Sequence, residues 1–152
     1  MKLCPCGHGS GPRCSCTPPA IARYLARLSG PLLDRIDLRV HVPAVPYAAL
    51  RDAKPGRDTA SLAAEVAAAR AVQFRRFDGT PRTNATLTPA EARRHCVLTP
   101  AAESVLEQAC ASGRLSARGV SRVLRVARTI ADLSGAASID REPVLEALRW
   151  RM

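Results

Sequence analysis

Aromatic residues are scarce in this 152-residue chain: one Trp, two Tyr and two Phe, 3% of the whole. A core without rings is built from Ala, Leu and Val, and that favours packed helices over a sheet sandwich. Lysine is nearly missing too. Lys2 and Lys54 are the only two, so arginine carries almost all the positive charge, a bias that a GC-rich genome also produces. No run approaches the roughly 18 apolar residues of a membrane span. No apolar h-region follows Met1, which argues against a secretory signal and for a cytoplasmic location. The sequence contains no G-x-x-x-x-G-K-[ST], and no acidic Walker-B strand precedes its first cysteines. Nothing in these residues therefore cradles a triphosphate.

What is present begins with cysteine and positive charge. The formal net charge is +10 and the pI is about 10.4, which points to a polyanionic partner such as nucleic acid or nucleotide phosphate. Four of the six cysteines, Cys4, Cys6, Cys14 and Cys16, form a C-x-C-x7-C-x-C cluster. The loop between the pairs, "GHGSGPR", has the glycines and proline needed to fold back on itself. Four thiolates can then surround a structural Zn2+ tetrahedrally, with His8 as a substitute ligand. Two strained local disulfides, or four free thiols, are the alternatives. A chain without an export signal favours the metal. Cys96 and Cys110 fall on expected helices and are read as small buried residues.

Periodicity divides the rest. "TPPAIARYLARLSG" reads as a short helix with Thr17 as N-cap and Gly30 as stop. Ile36, Leu38, Val40 and Val42 alternate with polar residues, the pattern of a strand closed by Pro43. Prolines and Gly56 mark residues 44–58 as a linker. From Thr59 the pattern is helical: Thr59 to Phe77, a capping box opened by Thr88 and Glu91, Thr99 to Ala111, a helix opened by Ser116 and stopped by Gly135, and Asp140 to about Arg149. The expected fold is mainly α. Residues 1–43 carry a cysteine-rich loop and a short strand, and 59–152 a bundle of four or five helices.

Two arginine-bearing stretches stand out, "RLSGPLLDRIDL" and "LSARGVSRVLRVARTIADL". Arg35 lies between Asp34 and Asp37, as a surface ion-pair cluster does. Arg118 opens a helix, where a cation opposes the helix dipole, a position suited to an awaited anion. With "CPCG", "CSC" and "EALRWR", these blocks closely resemble the C-terminal part of the magnesium-chelatase-like AAA+ ATPases of bacteria, the YifB/ComM family. The resemblance covers almost the whole chain.

The resemblance implies the end of an α/β AAA+ core followed by a helical lid. It implies that Arg35 is an arginine finger acting in trans on the γ-phosphate held by a neighbouring subunit, and that Arg118 is the sensor-2 arginine of the lid. It implies a hexameric ring that uses ATP and Mg2+ only in the complete assembly, with DNA as partner, since ComM is associated with branch migration of DNA. "MKL" stands where the family carries the sensor-1 Asn and a Pro. With no P-loop either, the chain is expected to be the tail of an ATPase that does not hydrolyse ATP alone. The alternative function is a zinc-containing basic helical module that grips nucleic acid directly. Arg13, Arg23, Arg27, Arg114, Arg122, Arg125 and Arg128 would then contact phosphates.

Overall fold

A computed structural model describes residues 4–8, 13–27, 32, 35–40, 42–52, 55–113 and 115–151. The chain divides into two compact units, Met1–Ile36 and Asp37–Met152. The expected Gly30 stop and Asp34 lie outside the described residues.

The first unit holds the cysteine cluster and helix α1 (Pro18–Leu25). Two prolines suit its first turn, where the missing N–H groups would have had no helical partner. Thr17 occupies the N-cap position in extended conformation, but its side chain makes no capping hydrogen bond.

The second unit is helical, as the composition requires. Its helices are α2 (Tyr47–Arg51), α3 (Thr59–Arg76), α4 (Pro89–His95), α5 (Pro100–Ala111), α6 (Ala117–Leu133) and α7 (Arg141–Arg149). Side chains of Asp58, Thr88, Thr99, Ser116 and Asp140 accept hydrogen bonds from backbone N–H groups at the starts of α3 to α7, each satisfying an orphan donor. At α4 the capping box is complete. Thr88 accepts from the Glu91 N–H at 3.2 Å, and the Glu91 carboxylate accepts from the Thr88 N–H at 2.8 Å. Arg82 also clamps Glu91 at 2.8 and 3.0 Å.

The Arg82 guanidinium and the Thr88 N–H hold the Glu91 carboxyl down at about 2. A carboxylate with a depressed pKa contributes stability that is present above its unfolded value and lost as pH falls toward the folded one. Acid unfolding between about pH 4 and 2 is therefore expected to be less steep in Glu91→Gln. A fluorescence or circular-dichroism pH titration showing the same slope in both proteins would contradict this.

The core is mainly aliphatic, with Phe77 among its members. Leu87, Val123, Ile139 and Val144 are fully buried, with Ala102, Ala127, Ala131 and Ala147 between them. Each large side chain stabilises by about 1.5–3 kcal/mol. The α6 face read from periodicity turns inward: Val123, Ala127 and Ala131 are buried and Val120, Leu124 and Ile130 half-buried. A parallel bridge joins Leu98 to Ile139. Ile139 N–H donates to Val97 C=O at 2.8 Å, and Thr99 N–H to Ile139 C=O at 3.0 Å, aligning the starts of α5 and α7.

The alternating segment at 36–42 forms no sheet ladder among the described residues. Leu38, Val40 and Val42 remain 52, 63 and 81% exposed. An extended chain becomes a strand only beside another. Here Arg39 N–H instead donates to Trp150 C=O at 2.7 Å, just beyond α7. The stretch read as a linker also contains a short helix, α2.

One buried polar network crosses the aliphatic core. Asp132, with a side chain wholly shielded from solvent, accepts from Arg76 at 2.6 Å, Asn84 at 2.8 Å and Arg128 at 3.0 Å. Arg128 is 1% exposed and also donates to the carbonyls of Ala136 and Ala137. The Asn84 side-chain oxygen accepts from Arg76 at 2.9 Å, while its backbone N–H donates to Gln73 and its side-chain amide to Thr129.

Candidate metal centre and arginine sites

Cys4, Cys6, Cys14 and Cys16 come together as the spacing predicts. Their four sulfurs all lie within 4.8 Å of one another. Cys4 to Cys6 is 3.2 Å, Cys6 to Cys14 3.7 Å and Cys14 to Cys4 3.7 Å. A tetrahedral ion with bonds of about 2.3 Å to sulfur requires its ligands about 3.8 Å apart. Two of these separations match that spacing and the Cys4–Cys6 one is shorter, and all four residues are free thiols rather than disulfides. Gly7 supports the tight turn with a φ of 81°, and its N–H donates to Cys4 C=O at 3.2 Å. His8 is exposed and outside the set.

The thiols differ in acidity. The His8 N–H and the Cys4 thiol favour the Cys6 thiolate and bring it down to about 6. The Cys16 N–H favours ionisation of Cys14, yet desolvation and the sulfurs of Cys4 and Cys6 outweigh it and push this thiol up to about 11. Crowded sulfurs share a proton more readily than they share negative charge. A bound dication reverses that balance.

Cys96 is buried as expected: its thiol donates to Leu124 C=O at 3.7 Å, and burial pushes it up to about 11. Cys110 corrects the reading. It lies on the solvent side of α5 and is exposed, because the buried positions of that helix are Ala102 and Leu106.

Arg35 is exposed, and its N–H donates to Leu32 C=O at 3.0 Å. Asp37, expected beside it, forms an ion pair with Arg122 of α6. Arg118 is exposed in the first turn of α6 and has no ion pair or side-chain hydrogen bond among the described residues. The helix start beneath it is capped and packed. Ser116 caps it by accepting from Gly119 N–H at 3.1 Å, and Gly119 is buried. A Cβ on Gly119 would stand 3.2 Å from the Leu115 side chain, so only glycine fits there without displacement.

The basic residues proposed for direct phosphate contact separate into two groups. Arg13, Arg23 and Arg27 are exposed. Arg122, Arg125 and Arg128 are engaged with Asp37, the Leu87 carbonyl and Asp132 respectively, the first two half-buried and Arg128 buried. Arg114 lies outside the described residues. The buried network of Arg76, Asn84 and Asp132 escaped sequence reasoning, since its members are 48 and 56 positions apart.

Comparison with known proteins matches residues 56–151 to the family "Magnesium chelatase, subunit ChlI C-terminal". Residues 1–50 match "Magnesium chelatase, subunit ChlI". The chain is 40% identical over 152 residues to the uncharacterized protein YifB of Salmonella typhimurium, covering 99% of this chain and 29% of that one. It is 38% identical, with the same coverage, to the competence protein ComM of Haemophilus influenzae. The chain thus spans 29% of the length of the curated relatives it matches. No described helix is long and apolar enough to cross a membrane.

Proposed function

The chain belongs to the magnesium chelatase subunit ChlI family through its C-terminal domain, and from that premise we propose that it supplies the finger and lid of a hexameric AAA+ motor that processes DNA. Residues 59–152 act as the lid and residues 1–43 as the end of the nucleotide-binding core. Arg118 is the sensor-2 residue and Arg35 the finger acting on the nucleotide of a neighbouring subunit.

The observation that carries this reading is Arg118. It is an exposed cation at a helix N-terminus, on a start held by Ser116 and packed through Gly119. The dipole repels it there, so its place is favourable when an anion such as a phosphate group is adjacent. Arg118 would follow nucleotide as the lid closes. A guanidinium at Arg35 presents a fixed fork of donors to charge developing on the transferred phosphoryl group. ATP and Mg2+ belong to the complete assembly, because the P-loop motif that would hold them is missing from this sequence.

The isolated chain is accordingly expected to show no ATP turnover in a phosphate-release assay. Robust hydrolysis that copurifies with it and disappears in Arg35→Ala would contradict the reading.

The same proposal assigns a structural zinc to Cys4, Cys6, Cys14 and Cys16. No open coordination position remains once four sulfurs bind, so the metal holds the loop rather than reacting. Metal analysis of purified protein is expected to find about one zinc per chain. Metal-free protein with four freely titratable cluster thiols would overturn the assignment.

A further inference from the structure

Helix α3 carries an aromatic side chain that the bundle does not use. Ala67, Arg70, Ala71 and Phe74 recur at i, i+3, i+4 and i+7, so they share one face. Phe74 remains 49% exposed, although a phenyl ring is among the side chains with most to gain from burial. The chain reverses immediately after α3. Asp78 and Gly79 have φ angles of 52° and 77°, and a Cβ on Gly79 would lie 3.6 Å from the Phe74 ring. The reversal brings Pro81 and Arg82 opposite the helix. These side chains enclose an open hollow of about 530 Å³.

The hollow's charge restricts its occupant. Arg70 is exposed and has no carboxylate partner among the described residues. Arg82 is held flat, 4.7 Å over the Phe77 ring and clamped by Glu91, yet its side chain stays 39% exposed. An apolar partner covering Phe74 would strip water from two guanidinium groups without replacing it. A nucleotide satisfies both parts: its base stacks on the ring or on the guanidinium plane, and its phosphate meets Arg70. Small side chains at Ala67 and Ala71 leave room for a planar base beside Phe74. The net charge of +10 favours the same ligand. The base must be unpaired to reach the ring, which selects single strands over duplex.

We infer that the hollow between α3 and the Pro81–Arg82 turn is a stacking site for an unpaired base of single-stranded nucleic acid, with Arg70 on the adjoining phosphate. This deepens the DNA-processing reading by giving the strand a place on the lid.

The test is fluorescence anisotropy of the full chain with labelled oligothymidylate and with an abasic strand of equal length, at several salt concentrations. Phe74→Leu keeps an aliphatic contact to Gly79 and is expected to melt like the parent. It should weaken oligothymidylate binding about tenfold and leave abasic-strand binding unchanged. Arg70→Ala should weaken both probes and flatten the slope of log affinity against log salt by about 0.7. Equal affinities of parent and Phe74→Leu for oligothymidylate would overturn the stacking site while leaving DNA as the partner elsewhere on the chain. No binding of either strand by the parent at low salt would remove both claims.

Discussion

In rings built from a complete nucleotide-binding core and this segment, Arg35→Ala is expected to slow ATP hydrolysis on the order of 1,000-fold or more. The magnitude follows from what a finger does. It places a delocalised cation on charge that appears only in the transition state, inside a site where water is excluded and each contact counts most. The loss should fall mainly on kcat, because the ground-state nucleotide gains little from the finger. A surface ion pair at Arg35 would instead contribute at most about 1 kcal/mol to stability and leave turnover near normal. Arg118→Ala should slow hydrolysis as well and weaken nucleotide binding, since a lid arginine engages the nucleotide before the chemical step. Steady-state kinetics with varied ATP separates the two roles.

The largest expected loss of stability comes from Asp132→Ala. That change leaves the guanidinium groups of Arg76 and Arg128 in a dry core without their carboxylate, and leaves the Asn84 amide short of an acceptor. Removing one partner of a buried charge network typically costs about 3–5 kcal/mol, a large share of the 5–15 kcal/mol that holds an ordinary domain together. A urea melt should therefore show a much lower midpoint, or no folded baseline at all. Arg128→Met, which removes a buried cation rather than its counter-charge, should cost less. Burial alone would raise the Asp132 carboxyl. The hydrogen bonds from Arg76 and Asn84 and the charge of Arg128 outweigh that, and its pKa is lowered. Its contribution is thus present above the unfolded carboxylate range and disappears on acidification. A urea midpoint for Asp132→Ala equal to that of the parent would show that the network is idle.

The helical half of the fold was legible because its signals are local. Thr88, Thr99 and Ser116 each stand just before a helix whose N–H groups they satisfy, and the α6 face repeats at helical spacing. The cysteine cluster was legible for a similar reason, since two close pairs and a reversible loop leave few other arrangements. What failed was information that only the folded chain holds. Ile36, Leu38, Val40 and Val42 have the alternation of a strand, but alternation supplies no neighbouring strand to pair with. Arg122, Arg125 and Arg128 resemble a solvated basic face in sequence. Their carboxylate and carbonyl partners, Asp37, Leu87, Asp132, Ala136 and Ala137, include some far along the chain. Cys110 is exposed, and a lone cysteine on a helix gives no indication of which side it faces.

The central claim is that Arg35 works on a nucleotide it does not hold. The direct measurement mixes this chain with a full-length relative that retains its P-loop and has its own finger arginine replaced by alanine. ATP hydrolysis is followed as the proportion of this chain rises. A finger supplied across the interface predicts that hydrolysis, absent from either protein alone, appears in the mixture, passes through a maximum, and fails to appear when this chain carries Arg35→Ala. Mixtures that form joint rings but stay inactive, or that are equally active with Arg35→Ala, would contradict it.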